Sequence, residues 1–110
     1  MTSLRLDKWL WFARFAKTRS LAAKLCASGL VTVGGAAPMK SHHPVRVGDV
    51  IAVPQGRALR RVRVLALGER RGPPAEARLL YEDAAPPLPL RDAERAAWTP
   101  LLQEEPIDGA

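Results

Sequence analysis

Apolar residues recur at helical spacing at the start of the chain. Within residues 6–16, LDKWLWFARFA, positions Leu6, Trp9, Leu10 and Ala13 fall at i, i+3, i+4 and i+7. That is one buried stripe of a predicted helix. Trp11, Phe12 and Phe15 widen the apolar surface, so this helix is expected to pack on more than one side. Thr18 is placed to N-cap a second helix over residues 19–28. Leu21, Ala22, Leu25 and Cys26 would face inward, with Ser20, Lys24 and Ser28 outward and Gly29 at the C-terminal stop. Joined at Lys17-Thr18, the two make a helical hairpin or a helix-turn-helix.

From Leu30 the period changes. Residues 30–33, 45–47, 50–53 and 58–67 read as strands. Gly34-Gly35, Gly48-Asp49 and Pro54-Gln55-Gly56 read as turns, and residues 36–44 as irregular, with Pro38 and Pro44 as breakers. In the longest run Val62, Val64 and Ala66 face one way, Arg61 and Arg63 the other. Gly68 to Pro74 is a loop, and residues 76–81 are a candidate last strand. After Asp83 acids and prolines concentrate. Residues 84–110 are therefore expected to be an acidic, Pro-rich, mobile tail outside the core, with a short helix near residues 90–98. There is no internal repeat. The pattern predicts an α+β domain over residues 4–83, a two-helix hairpin packed on a small antiparallel sheet.

Charge adds direction to this picture. A chain of 110 residues allows one domain and little room for a deep catalytic cleft. Its net charge is +6, and the excess lies wholly in the first 80 residues. Residues 1–40 hold seven Lys or Arg against the single acid Asp7, whereas residues 81–110 hold two Arg against seven acids. A folded basic region points to a polyanionic partner. Cys26 is the only cysteine. No apolar run approaches the ~18 residues of a membrane span, and charges interrupt the first residues. A cytoplasmic, reducing environment and no membrane association are expected.

Arg5, Lys8, Arg14, Lys17, Arg19 and Lys24 interleave with the helical core positions. The second helix presents free N–H groups at its start, where Thr18, Arg19 and Ser20 add two hydroxyls and a guanidinium. Such an arrangement suits phosphate. A solvated basic helix face accounts for the same residues equally well.

The order of elements separates the two readings. Arg5-Leu6-Asp7-Lys8 opens the first helix and Lys17-Thr18-Arg19-Ser20 the second. Then follow Gly29-Leu30-Val31-Thr32-Val33-Gly34-Gly35, Lys40-Ser41 and Val47-Gly48-Asp49-Val50-Ile51. This series resembles the S4 RNA-binding domain over residues 5–53. The stretches Arg5-Leu-Asp-Lys-Trp-Leu-Trp, Ala13-Arg14-Phe15, Lys17-Thr18-Arg19, Glu69-Arg70-Arg71 and Leu79-Leu80-Tyr81-Glu82 are similar to the heat-shock protein 15 family. The resemblance implies an S4-type (alpha-L) fold in a stand-alone protein that binds structured RNA and the large ribosomal subunit. It also implies a link to rescue of stalled subunits under heat shock, no catalysis and no cofactor. Carried over by position, the RNA face maps onto Arg5, Lys8, Arg14, Lys17, Thr18, Arg19, Ser20, Lys24, Lys40 and Ser41. Asp7 is expected to orient basic neighbours or to accept backbone hydrogen bonds. Two departures stand out. Gly34 replaces the family's turn asparagine, and the last residues are acidic where the family carries a basic helical extension.

Other readings are weaker. A DNA-binding helix-turn-helix regulator needs base-reading side chains, and Ser20, Ala23, Lys24 and Ala27 are a poor set; DNA is expected to bind more weakly than RNA. An enzyme needs a carboxylate pair or a His–Cys–Asp set, which the basic part lacks. An adaptor using its acidic tail is a third reading. His42-His43 lack companions for a metal site. Cys26 falls in the core, where thiols are inert. Trp9 belongs to packing; Trp11 is open to packing or base stacking. Arg57, Arg60, Arg61 and Arg63 extend the RNA face or coat a solvated sheet. A monomer is expected.

Overall fold

A computed structural model describes residues 3–35 and 40–91. Strand β1 (Leu4–Arg5) runs directly into helix α1 (Leu6–Phe12), followed by α2 (Arg19–Ala27), β2 (Thr32–Val33), β3 (Pro44–Val45), β4 (Val50–Gln55) and β5 (Ala58–Val64). A short helix α3 (Pro74–Ala77), continued by a 3-10 turn over Arg78–Leu80, leads into β6 (Tyr81–Pro89). β1 pairs antiparallel with β3, and β2-β4-β5-β6 form a four-stranded antiparallel sheet in that order. The fold is α+β, a two-helix hairpin packed on a small antiparallel sheet, as the sequence predicts.

The core follows from the predicted stripes. Leu6, Trp9, Leu10 and Ala13 are buried against Leu21, Ala22, Leu25 and Cys26 of α2, and against Val33, Val45, Ile51, Val53, Val62 and Val64 of the strands. Each large aliphatic residue so buried contributes about 1.5–3 kcal/mol. The Trp9 ring is fully buried, and its Nε1 donates to the Ala66 carbonyl at 3.0 Å. That bond leaves no orphan donor and ties α1 to the end of β5. The Thr18 hydroxyl accepts from the Leu21 N–H at 3.0 Å, the cap expected at α2. Gly34 sits at φ +68, a conformation asparagine also tolerates, so the turn after β2 survives the exchange.

The structure departs most from the sequence reading in three places. Helix α1 ends at Phe12 rather than near residue 16. The Phe15 N–H donates to Leu10 O at 2.9 Å and the Arg14 N–H to Trp11 O at 3.1 Å. This is the Schellman closure of a helix, with Arg14 at φ +65 where glycine is usual. Residues 76–81 do not form the last strand. Pro74 starts α3, the helix-forming Ala75-Glu76-Ala77 continue it, and the strand begins only at Tyr81.

The third departure is at the expected boundary at residue 83, which falls inside β6. That strand pairs with β5 as far as Ala58↔Pro89, and Leu90 beyond it is buried in the core. β6 is an edge strand, where prolines that cannot donate are tolerated. Its acids also face arginines of β5. Glu82 pairs with Arg63 at 3.0 Å and Asp83 with Arg60 at 2.6 Å. The helix expected near residues 90–98 and the rest of the tail lie outside the described residues. Among the described residues no helix is long and apolar enough to cross a membrane.

Truncation after Asp83 is expected to remove the far half of β6 and the Leu90 side chain. Loss of the leucine alone corresponds to about 2–4 kcal/mol, and the melting temperature should fall by about 10 °C or more. Calorimetry of the shortened chain checks this; an unchanged transition would mean that residues 84–90 add nothing to the core.

Candidate nucleic-acid interface

The start of α1 is gripped by backbone rather than by a capping side chain. Pairing of β1 with β3 lays the segment before Pro44 across the helix entrance. The Leu6 N–H donates to His43 O at 2.9 Å and the Asp7 N–H to Ser41 O at 3.0 Å. Two of the orphan donors of the first turn are thereby satisfied. The same bonds fix Lys40, Ser41 and His42 beside the helix.

Asp7 is buried at 5% exposure, the one buried charged residue among the described residues. Its carboxylate accepts from Arg5 Nε and Nη2, both at 3.1 Å, and lies 3.6 Å from Arg19 Nη2. A charge cannot be buried cheaply without partners. Here the partners are two exposed arginines from different elements, held together by one acid. Arg5, Lys8 and Arg19, with Ser3, Leu4, His42 and Pro44, line a groove of about 310 Å³. A second groove of about 400 Å³ runs between Ala23, Cys26, Ala27 and Gly29 on one side and Lys40, Ser41 and His42 on the other. His42 borders both.

Not all ten expected residues converge there. Arg5, Lys8 and Arg19 share the first groove, and Lys40 and Ser41 line the second. Ser20 and Lys24 are exposed on α2, and Lys17 is exposed before it. The Thr18 hydroxyl is occupied by the helix cap. Arg14 stands apart at the other end of α1, where its Nε donates to Gly72 O at 2.7 Å. The Lys8 ammonium lies 5.5 Å over the Phe12 ring, a contact that restrains its stem. Asp7 orients two basic neighbours, one of the roles expected of it. Sequence reasoning passed over His42 as a groove residue, weighing it only as a metal ligand. Its adjacency to Lys40-Ser41 was the available signal. Among the described residues no three His, Cys, Asp or Glu side chains gather at one point.

The arginines of β5 have another occupation. Arg60 and Arg63 pair with β6 acids, and Arg61 donates to Pro86 O at 2.7 Å. The hydrogen bond that Arg60 donates to Asp83 holds its guanidinium above the usual arginine range. Cys26 is buried, and burial, aided by the negative charge of Asp7, pushes its thiol up to about 12.

The S4 domain profile matches residues 4–51. A heat shock protein 15 homolog of Aeromonas salmonicida is 46% identical over 90 residues, covering 82% of this chain and 67% of the relative. Heat shock protein 15 of Escherichia coli K12 is 42% identical over 89 residues, covering 81% and 66%. This chain thus spans about two thirds of the length of these relatives. The solved heat shock protein 15 of Vibrio cholerae, a trimer, superposes with a TM-score of 0.71 at 30% identity, covering 94% of this chain and 97% of that one.

Two outcomes are expected from this site. Asp7→Asn keeps the shape and removes the charge that holds Arg5 and Arg19. It should cost about 1–3 kcal/mol in urea denaturation at neutral pH, and an unchanged midpoint would deny the carboxylate any net role. For Cys26 the folded state favours the neutral thiol. Its stabilising effect is complete below the ordinary value of 9.0 and is lost as pH rises from there toward about 12. Iodoacetamide at pH 8 should therefore label the native protein far more slowly than the urea-unfolded chain; equal rates would refute the burial argument.

Proposed function

The chain belongs to the heat-shock protein 15 family and carries its S4 domain, and from that premise we propose that it binds structured RNA of the large ribosomal subunit. It acts as a cytoplasmic, non-catalytic protein in heat-shock-linked rescue and recycling of stalled subunits. The observation that carries this reading is the Asp7 carboxylate, which holds Arg5 and Arg19 at one groove with Lys8 and His42. A carboxylate that preorganises guanidinium groups lowers the ordering cost of gripping phosphate. Arg5, Asp7, Lys8, Arg19 and His42 lie on one chain, so a single copy can form this groove. Lys17, Ser20, Lys24, Lys40 and Ser41 extend the face around the two grooves.

Contact is to phosphate and helix shape rather than to sequence. A-form RNA hides its major-groove edges from side chains. A helix-turn-helix insertion into DNA fits less well, because the Lys40–His42 segment lies along the Ala23 and Ala27 side of α2. On that side, among the described residues, the second helix and its stop contribute only Ala23, Cys26, Ala27 and Gly29 to the groove, a poor set for reading bases.

Co-sedimentation with purified large and small subunits across a salt series tests the reading. Association with large subunits should fall as salt rises. Arg19→Ala should shrink the slope of log affinity against log salt by about 1. Structured RNA should compete better than duplex DNA. Binding to small subunits only, or stronger competition by DNA, would defeat the proposal.

A further inference from the structure

The far end of α1 carries a second pair of arginines whose arrangement the first groove does not explain. Arg14 occupies the residue after the cap of α1, at φ +65. Glycine is the residue for that position, and an arginine there costs about 1–2 kcal/mol of backbone conformation. What the side chain gains is a fixed place. Its Nε donates to Gly72 O at 2.7 Å. The bond is answered from the other side, where Arg71 Nε donates to Trp11 O at 3.1 Å and its guanidinium lies 5.9 Å over the Trp11 ring. Two guanidinium groups are thus anchored across one seam, each by its Nε.

An anchored Nε leaves the two terminal nitrogens of each fork as donors. Neither Arg14 nor Arg71 forms an ion pair with a carboxylate among the described residues. Their neighbour Arg70 does, contacting both Glu76 oxygens at 2.9 and 3.0 Å, so an acid is close by and is directed elsewhere. Burial, and then the like charge of Arg14, lowers Arg71 below the usual arginine range. Like charges brought together without a counter-charge repel, and an anion between them removes that cost. If the pair were only a latch between α1 and the Gly68–Pro73 loop, neutral donors would serve without the repulsion.

We propose that Arg14 and Arg71 form a second phosphate-binding site, taking a backbone phosphate of the same nucleic acid at the opposite end of α1 from the Asp7 groove. The proposal rests on the RNA-binding reading above. Seven helical residues separate the two centres, about 10 Å of helix. That is too far for one phosphate to touch both, so the site would add a contact and fix the direction in which the strand crosses α1.

The test measures binding of a synthetic RNA hairpin across a salt series for the full chain and four variants. Arg14→Gly suits the backbone at that position, so the fold should hold while the charge is lost. It should weaken binding by about tenfold at low salt and shrink the salt slope by about 1. Arg71→Gln should do the same, whereas Arg71→Lys, which keeps the charge but not the planar fork, should keep most of the slope. Arg19→Ala serves as the reference for the first groove. If Arg19→Ala lowers the slope while Arg14→Gly and Arg71→Gln retain it, the pair is only a latch and this inference is overturned. If the unaltered chain shows no salt-dependent binding, the RNA reading itself fails and the second site with it.

Discussion

Seven residues are too few for a helix to persist alone in water, so α1 exists because of what grips it. Its apolar stripe is buried from both sides, by α2 and by the sheet. Its entrance is held by the carbonyls of Ser41 and His43, and its exit by a Schellman closure and two arginine side chains. The Trp9 indole adds a bond to Ala66 in the middle. Each grip brings distant chain to the helix: residues 41–43 at one end, 66–72 at the other. The segments that stabilise α1 are therefore the same ones that place basic groups around it.

The charges divide into two populations. On β5, Arg60 and Arg63 are matched across the strand pair by Asp83 and Glu82. On α1 and α2, Asp7 is the one acid, and it is buried beneath the arginines it holds. Fields from matched pairs cancel at short range, while an excess of one sign extends about a Debye length, roughly 10 Å at moderate salt. The composition records only a net charge of +6. The fold sorts it into a neutralised sheet edge and a cationic helical face.

Much of this was legible in sequence, and the limits have physical causes. The stripe from Leu6 to Ala13, the Thr18 cap and the alternation at Val62 and Val64 are local patterns, and these were legible. The end of α1 was not, because Arg14 has no intrinsic preference for positive φ; the Schellman bonds and the carbonyl of Gly72, 58 residues away, accompany that conformation. The same distance hid the pairing of Arg71 with Trp11. Asp7 could be suspected of orienting cations because it stood alone among them, but which cations required knowing that Arg19 folds back onto it. Spacing could not show that Arg14 leaves the other basic residues.

The proline- and acid-rich stretch beginning near Tyr81 shows how one composition admits opposite readings. Few continuous apolar residues and many prolines describe a mobile segment. They also describe an edge strand, which must pair on one side and resist pairing on the other. Pro86, Pro87 and Pro89 supply no N–H for a further strand, Glu82 and Asp83 meet cations of β5, and Leu90 seals the end in the core. What distinguishes the two readings is the neighbour. A strand as rich in arginine as β5 turns acids that would repel one another in a free tail into cross-strand partners, and the same residues then close the sheet.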